Sequence, residues 1–159
     1  MKNRLVVFIM GAYHCGPTLL DLMLGSHSSA FSLGELKHVP RQLEKTEEGF
    51  AHICGICSER CEFWNNSVSL PVLRSYFPAG CSGKRSRKLL GRLLDPLRPS
   101  LYHHLFDWSG SDVLIDSSKD PVWICRQKNS LRYVWHRRRI TPFLVYLCRD
   151  GRAIVNSIL

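Results

Sequence analysis

The sequence predicts an α/β fold with a mainly parallel central sheet. Three observations carry this: the apolar runs Leu5–Met10, Val113–Ile115 and Phe143–Cys148 are each followed by a polar or glycine-bearing loop and then by a helical segment. Strand–loop–helix units in series favour parallel pairing, because each helix is the crossover that parallel strands need. Continuous apolar runs, unlike alternating ones, suit strands covered on both faces.

Each element follows from local chemistry. Leu5-Val6-Val7-Phe8-Ile9-Met10 is a buried strand closed by Gly11. Pro17 suits the first position of a helix, where its missing N–H is no loss. The predicted helix reaches Leu24, with Leu19, Leu20, Met23 and Leu24 on its apolar face. Lys37 to Glu48 predicts a surface helix, and His52 to Trp64 a cysteine-rich loop. Residues 84–98 form a basic, leucine-spaced stretch ended by Pro96 and Pro99. Val113-Leu114-Ile115 predicts a short strand, Asp116 to Asp120 a polar loop, and Pro121 opens a helix running to about Arg137. The third unit is Phe143–Cys148, a turn at Arg149-Asp150-Gly151, and a helix from Arg152 to Leu159.

With 159 residues, 45% hydrophobic and 22% charged, the chain has the composition of one globular domain. This excludes a disordered tail or a collagen-like fibre. No apolar run reaches the roughly 18 residues of a membrane span. Met1-Lys2-Asn3-Arg4 and the following apolar run resemble a signal peptide in outline. The run is short, His14 follows it, and no small-residue cleavage site comes next, so the expectation is a strand and a cytoplasmic protein. Seven cysteines without a signal argue against a full disulfide framework. The net charge of +9 lies entirely in residues 84–159, with 15 Lys/Arg against 6 Asp/Glu, while residues 1–83 hold seven of each. Such a half points to an anionic partner or to a solvated basic surface.

Three loops can carry chemistry, and in a parallel sheet ligands bind beyond the carboxyl ends of the strands. Gly11-Ala12-Tyr13-His14-Cys15-Gly16-Pro17-Thr18 precedes a helix N-terminus, where free N–H groups and the helix dipole favour anions. It lacks the Gly-Lys-Ser/Thr of a Walker A loop, and a tight structural turn also explains it. Asp116-Ser117-Ser118-Lys119-Asp120-Pro121 offers hydroxyls and an ammonium, or simple helix capping by Ser118 or Asp120. Arg149-Asp150-Gly151-Arg152, with Ser157 eight residues after Arg149, offers a phosphate fork or a surface ion pair.

In order and spacing these segments resemble the sulfotransferases that use 3′-phosphoadenosine 5′-phosphosulfate (PAPS), in their bacterial and tyrosyl-protein branches. The matching stretches are Tyr13–Thr18 with Leu19-Leu20, Leu24-Gly25-Ser26-His27, Ser32-Leu33-Gly34-Glu35-Leu36, Val113–Pro121, and Arg149 through Ser157. Cys61-Glu62-Phe63-Trp64 also resembles an insertion of bacterial members. The resemblance implies a three-layer P-loop-like fold in a single domain spanning residues 1–159, with a cysteine-rich insertion at about 52–64. It implies PAPS as co-substrate, no metal, and an unknown hydroxyl or amine acceptor on a small molecule, a glycan or a peptide tyrosine. By the same resemblance His14, Cys15, Gly16, Pro17, Thr18 and Leu19 form the 5′-phosphosulfate loop, and Arg149 and Ser157 hold the 3′-phosphate. Glu35 matches the general base, Lys119 the cation on the transferring group, and His14 stands beside them as a third catalytic candidate.

The loop departs from the family. His14 replaces a fixed cation, Cys15 a serine, and Pro17 a hydroxyl residue together with an N–H. Losing a charged hydrogen bond costs about 1.5–3 kcal/mol, so weak donor binding or slow turnover is expected. Family domains usually continue well beyond the residue matching Ser157, so the C-terminal part of the domain is expected to be missing. Three alternatives stand. One is a non-catalytic adenylate-binding remnant. The second is a zinc site or local disulfide on Cys54, Cys57, Cys61 and Cys81, with His52 nearby. The third is a nucleic-acid module using residues 84–98 and 126–139, which lack a recognised motif, so nucleic acid is the less favoured partner.

Overall fold

The computed structural model describes residues 3–45, 61–77, 99–132 and 140–155. Their element order is β1 (Arg4–Gly11), α1 (Pro17–Gly25), β2 (Ala30–Ser32), a 3₁₀ turn (Leu36–His38), α2 (Val39–Lys45), a π-helical turn (Phe63–Ser67), α3 (Leu70–Tyr76), α4 (Leu101–Ser109), β3 (Val113–Lys119), α5 (Pro121–Arg132), β4 (Ile140–Leu147) and α6 (Gly151–Val155). The four strands form one parallel sheet in the order β2-β3-β1-β4, as an α/β chain requires.

β1 is central because its apolar run can be covered on both faces. Val6 and Phe8 point to one side, where they pack with Leu36, Leu73, Tyr102, Leu105, Leu114 and Ile124. Val7 and Ile9 point to the other side, against Ile115 and the inner residues Leu20 and Leu24 of α1. Helices thus cover both faces of the sheet. The large core lies beneath α2, α4 and α5, and a smaller one beneath α1. Among the described residues, no helix is long and apolar enough to cross a membrane.

Four local expectations change. In α1, Leu19 and Met23 are each 64% exposed, and the residue turned inward is Asp21, with 2% exposed. The expected face of Leu19, Leu20, Met23 and Leu24 is rotated, so that the polar floor of Ser32 and Ser117 receives Asp21. The segment expected to be a polar loop after Ile115 is strand through Lys119, with Asp116, Ser117 and Ser118 all buried. The helix after Glu35 is no mere surface element, since Leu36, Val39 and Leu43 enter the main core. β4 has the composition of β1 but lies at the edge of the described sheet, so Phe143, Leu144 and Tyr146 are exposed. The expected basic stretch 84–98, most of the cysteine-rich loop, and the ends of the two last predicted helices lie outside the described residues.

Candidate functional site

The carboxyl ends of the strands bring three loops together, and an extension of the β2–β3 ladder positions Glu35. Beyond Ser32, the Leu33 N–H donates to the Ile115 carbonyl at 2.8 Å, and the Ser117 N–H donates to the Gly34 carbonyl at 3.0 Å. Gly34 then turns in the left-handed region, φ +65°, and releases Glu35 from the ladder across from the end of β3. There Lys119 Nζ donates to Glu35 Oε1 at 2.5 Å. Lys37 Nζ lies 3.6 Å from Glu35 Oε2, and His38 Nε2 lies 3.1 Å from the same oxygen. Partial burial opposes ionisation of Glu35, but the bond and charge of Lys119, with Lys37 and His38, outweigh it and hold the carboxyl below its ordinary range.

Lys119 is held in a backbone conformation that L-residues avoid. Its φ is +62°, and the Asp120 N–H reaches back to the Ser118 carbonyl at 2.7 Å. Such left-handed placement of a side-chain-bearing residue costs on the order of 1–3 kcal/mol and concentrates at functional sites. Among the described residues the other non-glycine case is His14, φ +63°, in the loop between β1 and α1. Both strained residues therefore lie in segments that the sequence singled out, His14 in a loop and Lys119 at the last position of β3.

Beneath Lys119, a buried network fixes the end of β3. Asp116 accepts from Tyr102 Oη at 2.6 Å, from Trp123 Nε1 at 3.0 Å and from the Ser118 N–H at 2.9 Å, and also from the Ser118 hydroxyl. Burial raises the Asp116 carboxyl above its ordinary range, and the bonds from Ser118, Tyr102 and Trp123 oppose that rise. Burial beside Asp116 also holds the Tyr102 phenol well above its usual range. Ser118 Oγ accepts the Lys37 N–H at 3.1 Å, so the network also sets the start of the 3₁₀ turn that carries Lys37. On the other side of the sheet, Ser117 Oγ donates to Asp21 Oδ2 at 2.8 Å. Burial raises the Asp21 carboxyl, hydrogen bonds from Ser32 and Ser117 oppose the rise, and the charges of Glu35 and Lys119 act on it in opposite senses. Asp120 caps α5, accepting the Val122 N–H at 2.8 Å and the Trp123 N–H at 3.1 Å.

The first loop divides into inward and outward residues. Cys15 is buried, and its thiol donates to the Ala12 carbonyl at 2.7 Å. Pro17 is buried at the start of α1. Gly16, φ +94°, caps that helix from the left-handed region, and His14, Gly16, Thr18 and Leu19 are exposed. Arg149 crosses to this loop and donates to the His14 carbonyl at 2.9 Å. Gly11 leaves no room for a side chain, since a Cβ there would lie 2.7 Å from Cys15 Sγ and 2.9 Å from the Leu147 carbonyl. Asp150 and Arg152 form an exposed ion pair at 2.8 Å, which spends the second arginine of that turn locally.

These loops border a cavity of about 240 Å³ lined by Gly11, Tyr13, Lys37, Lys119, Asp120 and Pro121. Tyr13 is 68% exposed, with the ammonium groups of Lys37 and Lys119 at 5.7 and 5.9 Å from its ring centre. Two ammonium groups, an aromatic face and Asp120 line the opening, a set able to hold an anion, and Glu35 reaches its edge only through its bond to Lys119.

Of the expected site residues, Glu35 and Lys119 meet directly, and His14 and Arg149 meet through the backbone of the loop. Ser157, Cys54, Cys57 and Cys81 lie outside the described residues. Cys61 is buried in the main core, and among the described residues no three His, Cys, Asp or Glu side chains cluster as metal ligands. Lys37 and His38 were not singled out from the sequence, and Tyr13 and Asp116 were named only as members of their segments, without a role. Lys37 stood at the start of a predicted helix with nothing to mark it, whereas Asp116 and Ser118 were visible but assigned to a loop. Comparison with protein-family models, with curated proteins and with solved structures gave no match.

Proposed function

We infer that this chain is a sulfotransferase-like protein of P-loop-like architecture that moves a sulfuryl group from PAPS to a hydroxyl or amine acceptor. The observation that carries the reading is the Glu35–Lys119 pair, built by a strained turn at the carboxyl edge of a parallel sheet beside the loop that opens α1. The strand order also supports it, because it puts β1 and its loop between β3 and β4, so that Lys119 and Arg149 flank that loop.

The residues fit the donor in part. The first N–H groups of α1 have no partner within the helix and suit an anion at the Gly16 turn, although Pro17 removes one of them. Lys119 and Lys37 supply fixed charge, and Arg149 orders the loop by holding the His14 carbonyl. When bound, PAPS supplies an activated sulfuryl group on a phosphate leaving group. Glu35 takes the proton of the acceptor as the acceptor–sulfur bond forms and the sulfur–oxygen bond to the 5′-phosphate breaks, releasing 3′,5′-bisphosphoadenosine. Lys119 neutralises the charge that develops on the departing oxygen. Lys119 is bonded to Glu35 when no anion is near, and that bond weakens Glu35 as a base. Transfer of Lys119 to the donor raises the Glu35 carboxyl and readies it for the acceptor.

The inward thiol of Cys15 and the missing N–H of Pro17 favour a second reading, a protein that binds the adenylate without turnover. Calorimetry with 3′,5′-bisphosphoadenosine beside a radiolabelled sulfate-transfer assay separates the two. Binding with transfer that Glu35→Gln abolishes is expected, binding without transfer supports the second reading, and no binding overturns both.

A further inference from the structure

We propose that the apolar groove between α5 and β4 is a separate binding site for a small amphipathic anion, an apolar chain or ring carrying a carboxylate. This site does not depend on the sulfotransferase reading. The groove has a volume of about 230 Å³, just below the range of drug-sized ligand pockets, so its occupant is small.

Its walls follow from register. β1 turns Phe8 and Met10 toward the α5 side of the sheet, and the parallel pairing sets Leu144 beside Phe8 and Pro142 beside Val6 on the same side. α5 presents Pro121, Ile124, Cys125 and Lys128 to the groove, at the spacing of one helical face. That stripe is apolar until its last member, an ammonium. Among the described residues Lys128 forms no ion pair, and it is the one charged group lining the groove. Because β4 is at the edge of the described sheet, Leu144 is 53% exposed and the apolar wall stays open to solvent. An apolar body on Met10, Ile124 and Leu144 with an anionic end at Lys128 satisfies both halves of the lining. A cationic amphiphile leaves two like charges together, and a hydrophilic anion leaves the apolar wall wet.

The probe is octanoate, with octylamine and octanol as charge controls, and the readout is protection of Cys125 from a maleimide, followed by peptide mass spectrometry. Cys125 lines the groove, while the exposed Cys148 lies outside its lining and serves as an internal reference. Octanoate is expected to slow alkylation of Cys125 and leave Cys148 unchanged. Lys128→Glu is expected to weaken octanoate about tenfold or more, the worth of one charged contact, and to strengthen octylamine. Leu144→Glu, at an exposed position, is expected to weaken octanoate without loss of the fold, checked by circular dichroism. Equal protection by octanoate and octylamine, or no response to Lys128→Glu, overturns the proposal. So does Cys125 shielding that rises with protein concentration in the absence of octanoate, which assigns the groove to a second copy of the chain.

Discussion

Tyr102→Phe tests whether the buried Asp116 carboxyl depends on its donors. The substitution removes one hydroxyl and keeps the ring, which packs edge-on against Phe8 with centroids 5.6 Å apart. No cavity of consequence opens, so the change isolates the 2.6 Å bond to Asp116 Oδ2. A hydrogen bond to a charged group is worth about 1.5–3 kcal/mol, against about 0.5–1.5 for a neutral pair. Urea denaturation at neutral pH should therefore show a loss near the charged figure if Asp116 is ionised in the fold. The melting temperature should fall by about 2–4 °C per kcal/mol in a domain of this size. The pH dependence sharpens the test. Burial lifts the folded-state pKa of Asp116 above the ordinary 3.8, so its contribution to stability is fully present below 3.8 and is lost as pH rises through the folded value. Removing Tyr102 Oη lifts that folded value further, because the phenol favours the charged form. The penalty of Tyr102→Phe should then grow as pH rises and shrink toward the neutral-pair figure in acid. A loss below about 0.5 kcal/mol at every pH refutes the reasoning, since it lies under even the neutral-pair range.

Four further outcomes follow from the site. Lys119→Ala should raise the Glu35 carboxyl, which Lys119 now holds down, and carbon-detected NMR titration reads this directly; an unchanged or lower value contradicts the pairing. Because the folded-state value of Glu35 is depressed, its stabilisation is present above the ordinary 4.5 and is lost as pH falls through the folded value, and Glu35→Gln should abolish that acid-side component of the stability profile. Gly11→Ala should cost about 1–3 kcal/mol by overpacking, and Cys15→Ala on top of it should recover only part, because the Leu147 carbonyl still blocks the new methyl group. Asp120→Ala should remove the cap of α5 at a cost of about 0.5–2 kcal/mol, with faster amide exchange at Val122 and Trp123; unchanged exchange there would show that the cap is dispensable.

The parallel α/β architecture was legible because it rests on runs of apolar residues, and β1, β3 and β4 all fall on the three runs. The loops after β1 and β4 were legible for the same reason, whereas Glu35 follows β2, a three-residue strand with no apolar run to mark it. What pattern alone misplaced were polar residues inside elements. Asp116-Ser117-Ser118 has the composition of a loop, and it is strand because Tyr102, Trp123 and Asp21 supply partners for its buried polar atoms. In α1, spacing allowed Leu19 and Met23 to face inward, but the floor beneath the helix is polar and takes Asp21.

The sequence by itself determined the class of fold and the position of three strand-ending segments, while Glu35 entered as a candidate only through the family resemblance and Lys119 through its place after the second apolar run. Apolar periodicity and strand-ending turns are local properties, and they survive in any context that buries them. Only the tertiary structure decided that Glu35 and Lys119 touch, that Lys37 and Tyr13 join them, and that β4 stands at the edge of the described sheet with an apolar groove beside it. Those outcomes depend on strand order and register, which are set by long-range pairing between residues some eighty to a hundred and forty positions apart.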